Sequence, residues 1–282
     1  MSRIAYVNGQ YVPHRRAAVH VEDRGYQFAD GVYEVIAVRN GHLVDLAPHF
    51  DRLDRSLGEL DIEAPMPHAV MSFILKAIVR RNRVKDGIVY LQITRGVAPR
   101  DHQFPTDAMA AMVVTARNTI PKVAQREAGI GVISTPDNRW KRCDIKTISL
   151  LPNVLAKQKA FEAGAYEAWQ VDQGGYVTEG SATNAWIVTK EGEIITRQAD
   201  EAILSGVTRL AVMALAERDG ITLIERPFSL EEAKAAKEAF LTSTTSNVMP
   251  VIEIDGSPIG NGHPGTVTRS LSDLYERFAN SD

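Results

Sequence analysis

Lys146 stands in the run Cys143-Asp144-Ile145-Lys146-Thr147, at the edge of an apolar stretch. A lysine desolvated in such a place loses part of its preference for the charged form, and its amine becomes a nucleophile. Taken alone, it also reads as a solvated loop residue. A second candidate is Val177-Thr178-Glu179-Gly180-Ser181-Ala182-Thr183-Asn184. Gly180 permits a close turn, and a buried Glu179 can pair with a cationic ring nitrogen; the alternative is a hairpin glutamate facing water. Two further runs, Leu241–Asn247 with its hydroxyls and Ser205-Gly206-Val207-Thr208 at a helix start, can line up donors for a phosphate. Free backbone N–H groups and the helix dipole favour anions there, although each run also fits a cap or a polar turn. Arg52 can add a cation. In the proline-bracketed loop Pro99–Pro105, Arg100 presents a fork of donors suited to a carboxylate and His102 adds another; a polar surface loop is the other reading.

Local patterns indicate the elements that must carry these residues. Asn8-Gly9 and Asn40-Gly41 lie between β-prone runs and predict hairpins. Helical spacing places Phe50, Leu53, Leu57 and Leu60 on one face, and Val70, Phe73, Ile74, Ala77 and Ile78 on another. Ile88–Thr94 and Met109–Ala116 read as strands, and Arg117–Val123 as a linker. Beyond it, strands are expected at Gly131–Ser134, Tyr166–Val171 and Asn184–Thr189, and helices at Asn153–Ala163, Val207–Arg218, Leu230–Lys237 and Thr266–Phe278. The lack of a regular βαβ rhythm favours an α+β fold. The expected domains are 1–117 and 124–282, joined by 118–123. With 32 basic and 35 acidic residues and no basic stripe, neither nucleic acid nor an anionic membrane is expected as a partner. The single Cys143 excludes an internal disulfide, and no metal ligands cluster beside it. No apolar run has membrane-spanning length, and Met1–Val12 lacks a signal-peptide pattern. The expectation is a soluble cytoplasmic protein without a metal.

A nucleophilic lysine, an acidic partner for a ring nitrogen, two phosphate cradles and a carboxylate clamp together make the parts of a pyridoxal-phosphate aminotransferase. The sequence resembles the bacterial D-amino-acid aminotransferases, members of the fold-type IV pyridoxal enzymes. The stretches that carry the resemblance are Asp23 to Val35, Arg100 to Pro105, Arg139-Trp140 with Arg142 to Lys146, Thr178 to Ser181, and Thr242 to Ser246. It implies a two-domain fold-type IV architecture and pyridoxal 5'-phosphate as cofactor. Lys146 would hold the cofactor as a Schiff base and carry a proton between the substrate's α-carbon and the cofactor. Glu179 would bind the pyridine nitrogen, Leu204 would pack on the ring, and Arg52, Val207, Thr208 and Thr244 would hold the phosphate. Tyr33, Arg100 and His102 would trap the substrate carboxylate. The family supplies the arginine and histidine from a neighbouring subunit, which implies a homodimer with a shared active site.

The reaction implied is ping-pong transamination between D-amino acids (D-alanine, D-glutamate) and 2-oxo acids (2-oxoglutarate, pyruvate). Branched-chain L-amino-acid and (R)-amine aminotransferases share the lysine and the glutamate, so Arg100-x-His102 with Tyr33 is what favours the D-enantiomer. A catalytically silent pyridoxal-binding protein is the alternative outside enzymes. Two departures stand out: Ala182 and Thr183 follow Ser181 where the family has serines, and Pro152-Asn153 replaces a glycine-containing turn.

Overall fold

The computed structural model describes residues 3–280; Met1 and Ser2 of the first expected domain, and Ser281 and Asp282 of the second, lie outside the described residues. The chain divides into two compact units, residues 3–120 with 145–149, and residues 121–144 with 150–280. Lys146 therefore belongs to the first unit, although the residues before and after its segment belong to the second. Each unit combines helices with one sheet, as an α+β fold requires.

In the first unit, β1 (Ile4–Val7) and β2 (Gln10–Pro13) form a hairpin, as do β3 (Gly31–Arg39) and β4 (His42–Leu43). Their turns have positive φ at both residues, 44° and 92° at Asn8 and Gly9, 50° and 84° at Asn40 and Gly41. Asparagine and glycine tolerate that geometry, which matches the twist of the flanking strands. With β5 (Gly87–Thr94) and β6 (Ala111–Asn118) these strands make a sheet of order β2-β1-β6-β5-β3-β4. Helices α2 (Leu46–Glu59) and α3 (His68–Asn82) pack on one face, burying Val32 and Ile36 of β3, Leu91 of β5 and Val114 of β6. Strand alternation puts Glu34 on that buried face and turns Tyr33 to the other. The short α1 (Arg24–Phe28), capped by the Asp23 side chain, precedes β3 and ends in Ala29 at a φ of 56°.

The expected α3 face is partly wrong. Val70 and Phe73 are 45% and 65% exposed, whereas Met71 and Leu75 are fully buried. The helix is apolar around most of its circumference, so two overlapping stripes satisfy the helical period. Packing on the sheet selects the one through Met71, Leu75 and Ile78. Met109 is likewise exposed and precedes the strand, while Arg117 and Asn118, read as linker, pair with Ile88 and Gly87.

The second unit begins with α4 (Val123–Ala128) and β7 (Ile130–Pro136), followed by α5 (Leu151–Glu162) and β8 (Glu167–Val171). Pro152 sits in the first turn of α5, where its missing N–H breaks no helical bond. Next come β9 (Val177–Gly180), β10 (Asn184–Val188), β11 (Ile194–Thr196), α6 (Val207–Arg218) and β12 (Leu223–Glu225). The unit closes with α7 (Leu230–Ala235), β13 (Glu238–Ser243), β14 (Asn247–Ile254), β15 (Ser257–Pro258) and α8 (Thr266–Ala279). Its sheet runs β12-β11-β10-β13-β14-β7-β8-β9, with β15 paired to β14. Pairs β7–β8, β7–β14 and β11–β12 are parallel. Trp169 and Phe228, both fully buried, sit edge to face with ring centroids 6.3 Å apart. Among the described residues no helix is long and apolar enough to cross a membrane.

Candidate active site

Backbone bonds, not its own side chain, fix Lys146 in the first unit. Its carbonyl accepts from Tyr33 N at 3.0 Å, its amide donates to Ser56 Oγ at 3.2 Å, and Ile148 N reaches Gly31 O at 3.0 Å. The segment thus lies along the start of β3, helped by the bridge between Val32 and Thr147. A Cβ on Gly31 would come within 2.6 Å of Ile93 O on β5, so only glycine leaves room for β3 to pair with β5 at this point. The Lys146 ammonium rests over the Tyr33 ring, 4.2 Å from its centroid. Tyr33 in turn stacks on Tyr90 at 5.7 Å. Burial and the neighbouring Tyr33 push the Tyr90 hydroxyl up to about 12, which keeps it neutral and donating to Gln92 Oε1 at 2.7 Å.

Beneath lies a buried ionic cluster. Arg52 grips Glu34 with Nε and Nη2 at 2.8 and 2.7 Å, and His49 Nδ1 meets the same carboxylate at 2.6 Å. Burial opposes ionisation of Glu34, but the Arg52 charge and hydrogen bonds prevail and hold its carboxyl down at about 2. A carboxylate so occupied by an arginine fork leaves the nearby lysine without an ion-pair partner. Lys146 Nζ makes no salt bridge among the described residues. Its Nζ instead rests on an aromatic ring, where no carboxylate holds it and it can reach an electrophile.

The second unit carries a different set. Glu179, on the buried strand β9, accepts from Arg139 Nη1, from Asn184 Nδ2 at 3.0 Å and from Leu204 N at 3.1 Å. Arg139 is itself fixed by Asp137, to which Nε and Nη2 donate at 2.9 and 2.7 Å. It also reaches Thr178 Oγ1 and Ala202 O. Burial pushes the Glu179 carboxyl above the ordinary carboxylate range, and the Arg139 charge and hydrogen bond pull it back. Asn184 Nδ2 also donates to Leu204 O at 2.9 Å, so this amide ties the glutamate to the loop entering α6.

That helix starts without a side-chain cap: its first internal bond is Leu210 N to Gly206 O, at 2.9 Å. The amides of Val207 and Thr208 therefore lie outside the helical ladder, pointing toward the N-terminus. A Cβ on Gly206 would fall 2.1 Å from Asn184 Oδ1. Gly206→Ala is accordingly expected to displace Asn184 and weaken cofactor binding about tenfold, through loss of one charged hydrogen bond. Titration of cofactor-free protein with pyridoxal 5'-phosphate measures this, and an unchanged affinity would remove the link between the two residues. Thr244 lies in the turn joining β13 to β14, where Ser246 N donates to Ser243 Oγ at 3.1 Å.

Within the chain, then, the structure groups Tyr33 with Lys146, and Glu179 with Leu204 and the start of α6. It places Arg100 beside His102 around Phe28, with the Arg100 guanidinium 4.6 Å and the His102 ring 5.6 Å from the Phe28 centroid. Among the described residues, no hydrogen bond or ring contact joins either of them to Tyr33. Sequence reasoning gave no role to Arg139, Asp137 or Asn184. Arg139 stands 40 positions before its carboxylate partner, a distance that no local pattern reports. Cys143 donates to Trp140 O at 3.1 Å, and burial pushes its thiol up to about 12, so it stays a packed thiol.

The chain belongs to the class IV amino-transferases, the family whose model matches residues 31–254. Among curated proteins it is 41% identical over 264 residues to the D-alanine aminotransferase of Bacillus licheniformis, covering 94% of this chain and 93% of that one. Identity to the D-alanine aminotransferase of Staphylococcus epidermidis is 37%, covering 98% of both chains. Among solved structures, a T.th. branched-chain amino acid aminotransferase with pyridoxamine 5'-phosphate superposes with a TM-score of 0.90 at 26% identity, covering 100% of this chain and 96% of that one.

Proposed function

We propose that this chain is a pyridoxal 5'-phosphate-dependent D-amino-acid aminotransferase. It would exchange amino groups between D-alanine or D-glutamate and 2-oxoglutarate or pyruvate. The observation that carries the reading is the pairing of functions in one chain: an unpaired lysine amine on an aromatic ring, and a buried carboxylate held by an arginine. This donor set fits the cofactor. Lys146 offers the amine for its aldehyde, Glu179 an acceptor for its ring nitrogen, and the uncapped amides of Val207 and Thr208 a place for its phosphate. Arg52 and Thr244 would add donors to that phosphate, and Leu204 would pack on the ring.

When bound, the cofactor supplies an electron sink for the pair left at the substrate α-carbon. Lys146 removes the α-proton with Nζ, a task for which a free amine is required. Glu179, kept in place by Arg139, Asn184 and Leu204 N, holds a proton on the ring nitrogen. Tyr33, Arg100 and His102 fix the substrate carboxylate, and whichever pocket takes the carboxylate decides which enantiomer turns its α-hydrogen to Lys146. The Arg100-x-His102 loop supports the D-series, as do the names of the relatives above. Among the described residues Arg100 and His102 make no hydrogen bond or ring contact with Tyr33, and the family resemblance supplies both from a neighbouring subunit, so we place them in the site of a second copy. The active form is then a homodimer with a shared active site. A cytoplasmic location belongs to the same reading, supported by a chain with a single cysteine.

The test is a rapid-mixing absorbance scan of the yellow holoprotein with D-alanine and, separately, with L-leucine. Bleaching by D-alanine alone is the expected result. Bleaching by L-leucine alone would keep the cofactor but replace the D-specific reading with a branched-chain L-amino-acid activity. A purified protein that takes up no pyridoxal 5'-phosphate would end the reading.

A further inference from the structure

Arg100 and His102 are both exposed, on a loop between β5 and β6, and exposed side chains do not hold a catalytic geometry by themselves. The structure provides the missing support from α1. Arg24, 3% exposed, sends Nη1 to Asp101 O at 2.6 Å and Nη2 to His102 O at 3.4 Å. It thereby grips the backbone of the two residues that follow Arg100. Its Nε is held by Asp30 Oδ2 at 2.8 Å, and the same carboxylate oxygen receives Arg95 Nε at 2.8 Å. Arg95 continues to Leu60 O at 2.6 Å and Asp61 O at 2.9 Å, just past the end of α2, so the anchor is tied into the first unit's helical layer. The loop's entry is pinned as well: Arg24 N donates to Gly96 O at 2.8 Å, and Asp23 bridges to Val97.

The side chains are set by Phe28, one turn further along α1. Its ring carries the Arg24 guanidinium at 4.8 Å, the Arg100 guanidinium at 4.6 Å and the His102 ring at 5.6 Å. One aromatic platform therefore orients both groups that would meet a substrate carboxylate, and cation–π attraction restricts the Arg100 fork without using its hydrogen-bonding edge. Further along, Phe104 packs under Arg95 with the guanidinium 3.6 Å from the ring centroid.

We infer that Arg24 and Phe28 are positioning residues for the substrate carboxylate: Arg24 fixes the backbone of the Arg100–His102 loop, and Phe28 fixes the direction of both side chains. This rests on the reading of Arg100 and His102 given above. Preorganised donors lower the ordering cost of binding, so the effect belongs in KM and not in kcat.

The experiment is a double-mutant cycle on the holoenzyme, with D-alanine as variable substrate. Phe28→Leu is expected to raise KM about fivefold and Arg24→Met about tenfold, with kcat within about twofold of the parent. Phe28→Tyr, which keeps the ring, restores the parent KM. Arg100→Leu raises KM at least about tenfold, and adding Phe28→Leu to it raises KM by less than the roughly fivefold seen alone, because part of the Phe28 effect runs through Arg100 and only the part through His102 remains. Hydrogen exchange supplies a readout independent of turnover: Arg24→Met quickens exchange over residues 96–104 while β3 stays protected. Should Arg24→Met fail to fold, the Phe28 cycle carries the test alone. If Arg100→Leu raises KM but Phe28→Leu does not, or if the two multiply independently, the positioning role is overturned while the carboxylate reading stands. An unchanged KM in Arg100→Leu overturns the carboxylate reading and the inference with it.

Discussion

Lys146→Ala is expected to lower turnover of D-alanine by on the order of a thousandfold, the range for removing a positioned general acid–base group. The protein should fold as before. What fixes this segment is backbone, through Tyr33 N, Ser56 Oγ and the Thr147–Val32 bridge, and alanine keeps all of it. The cation–π contact with Tyr33 is lost, at a cost of about 0.5–1 kcal/mol, together with the weak attraction of the Lys146 charge for Glu34, which Arg52 and His49 still hold. Lys146→Arg is the informative companion. It retains a cation for the Tyr33 ring, but a guanidinium cannot be deprotonated and cannot serve as the amine. Both variants should therefore be inactive, with melting temperatures close to the parent. Formation of the 2-oxo acid and far-UV circular dichroism check the two halves. Retention of activity within tenfold in Lys146→Ala would remove the lysine from the chemistry.

The second large effect is expected at Arg139, and it is one of stability as well as function. The guanidinium is 5% exposed and lies between the Asp137 and Glu179 carboxylates, themselves 11% and 8% exposed. Arg139→Leu leaves two buried carboxyls without their cation, and breaking a buried pair in this way costs about 3–5 kcal/mol. The pH dependence has a definite sign. Burial already pushes Glu179 above its unfolded value of 4.5, and the variant loses the charge that pulled it back. Between 4.5 and the raised folded value, the folded variant holds a proton that the unfolded chain has released. Stability then falls as pH rises. Asp137 adds to this, since burial raises it and the Arg139 hydrogen bond and charge now keep it below its ordinary value. Urea unfolding at pH 5 and pH 8 should show a deficit that grows toward pH 8. A protonated Glu179 is also a poor acceptor for a protonated ring nitrogen, so cofactor affinity should fall in parallel. Arg139→Lys, with a charge but no fork, should recover part of both losses. A deficit below about 1 kcal/mol, or one independent of pH, would show that Glu179 does not depend on this arginine.

What could be read from the sequence was local. The Asn8-Gly9 and Asn40-Gly41 hairpins were legible because positive φ at two successive residues is a demand that the residues themselves meet. The bounds of α6, Val207–Arg218, are those expected from the sequence, with Ser205-Gly206 read as its entry. The candidate residues themselves became legible through several long matching stretches, each of which a single short motif would not have distinguished from a polar loop.

Tertiary structure decided the rest, because it depended on partners far apart in the chain. The period of α3 was satisfied by two stripes, and only the sheet beneath it chose the one through Met71 and Leu75. Arg139 meets Glu179 across 40 positions, and Arg24 meets the Asp101 carbonyl across 77. Neither contact leaves a trace in local spacing, since an arginine in a loop or a short helix looks the same whether it faces water or a buried carboxylate. The sequence by itself determined the hairpins and most helices, set by short-range sterics and side-chain chemistry, and it named the candidate groups of the site. Only the folded chain decided which charges are desolvated together, and desolvation is what turns an ordinary carboxylate, lysine or arginine into part of a site.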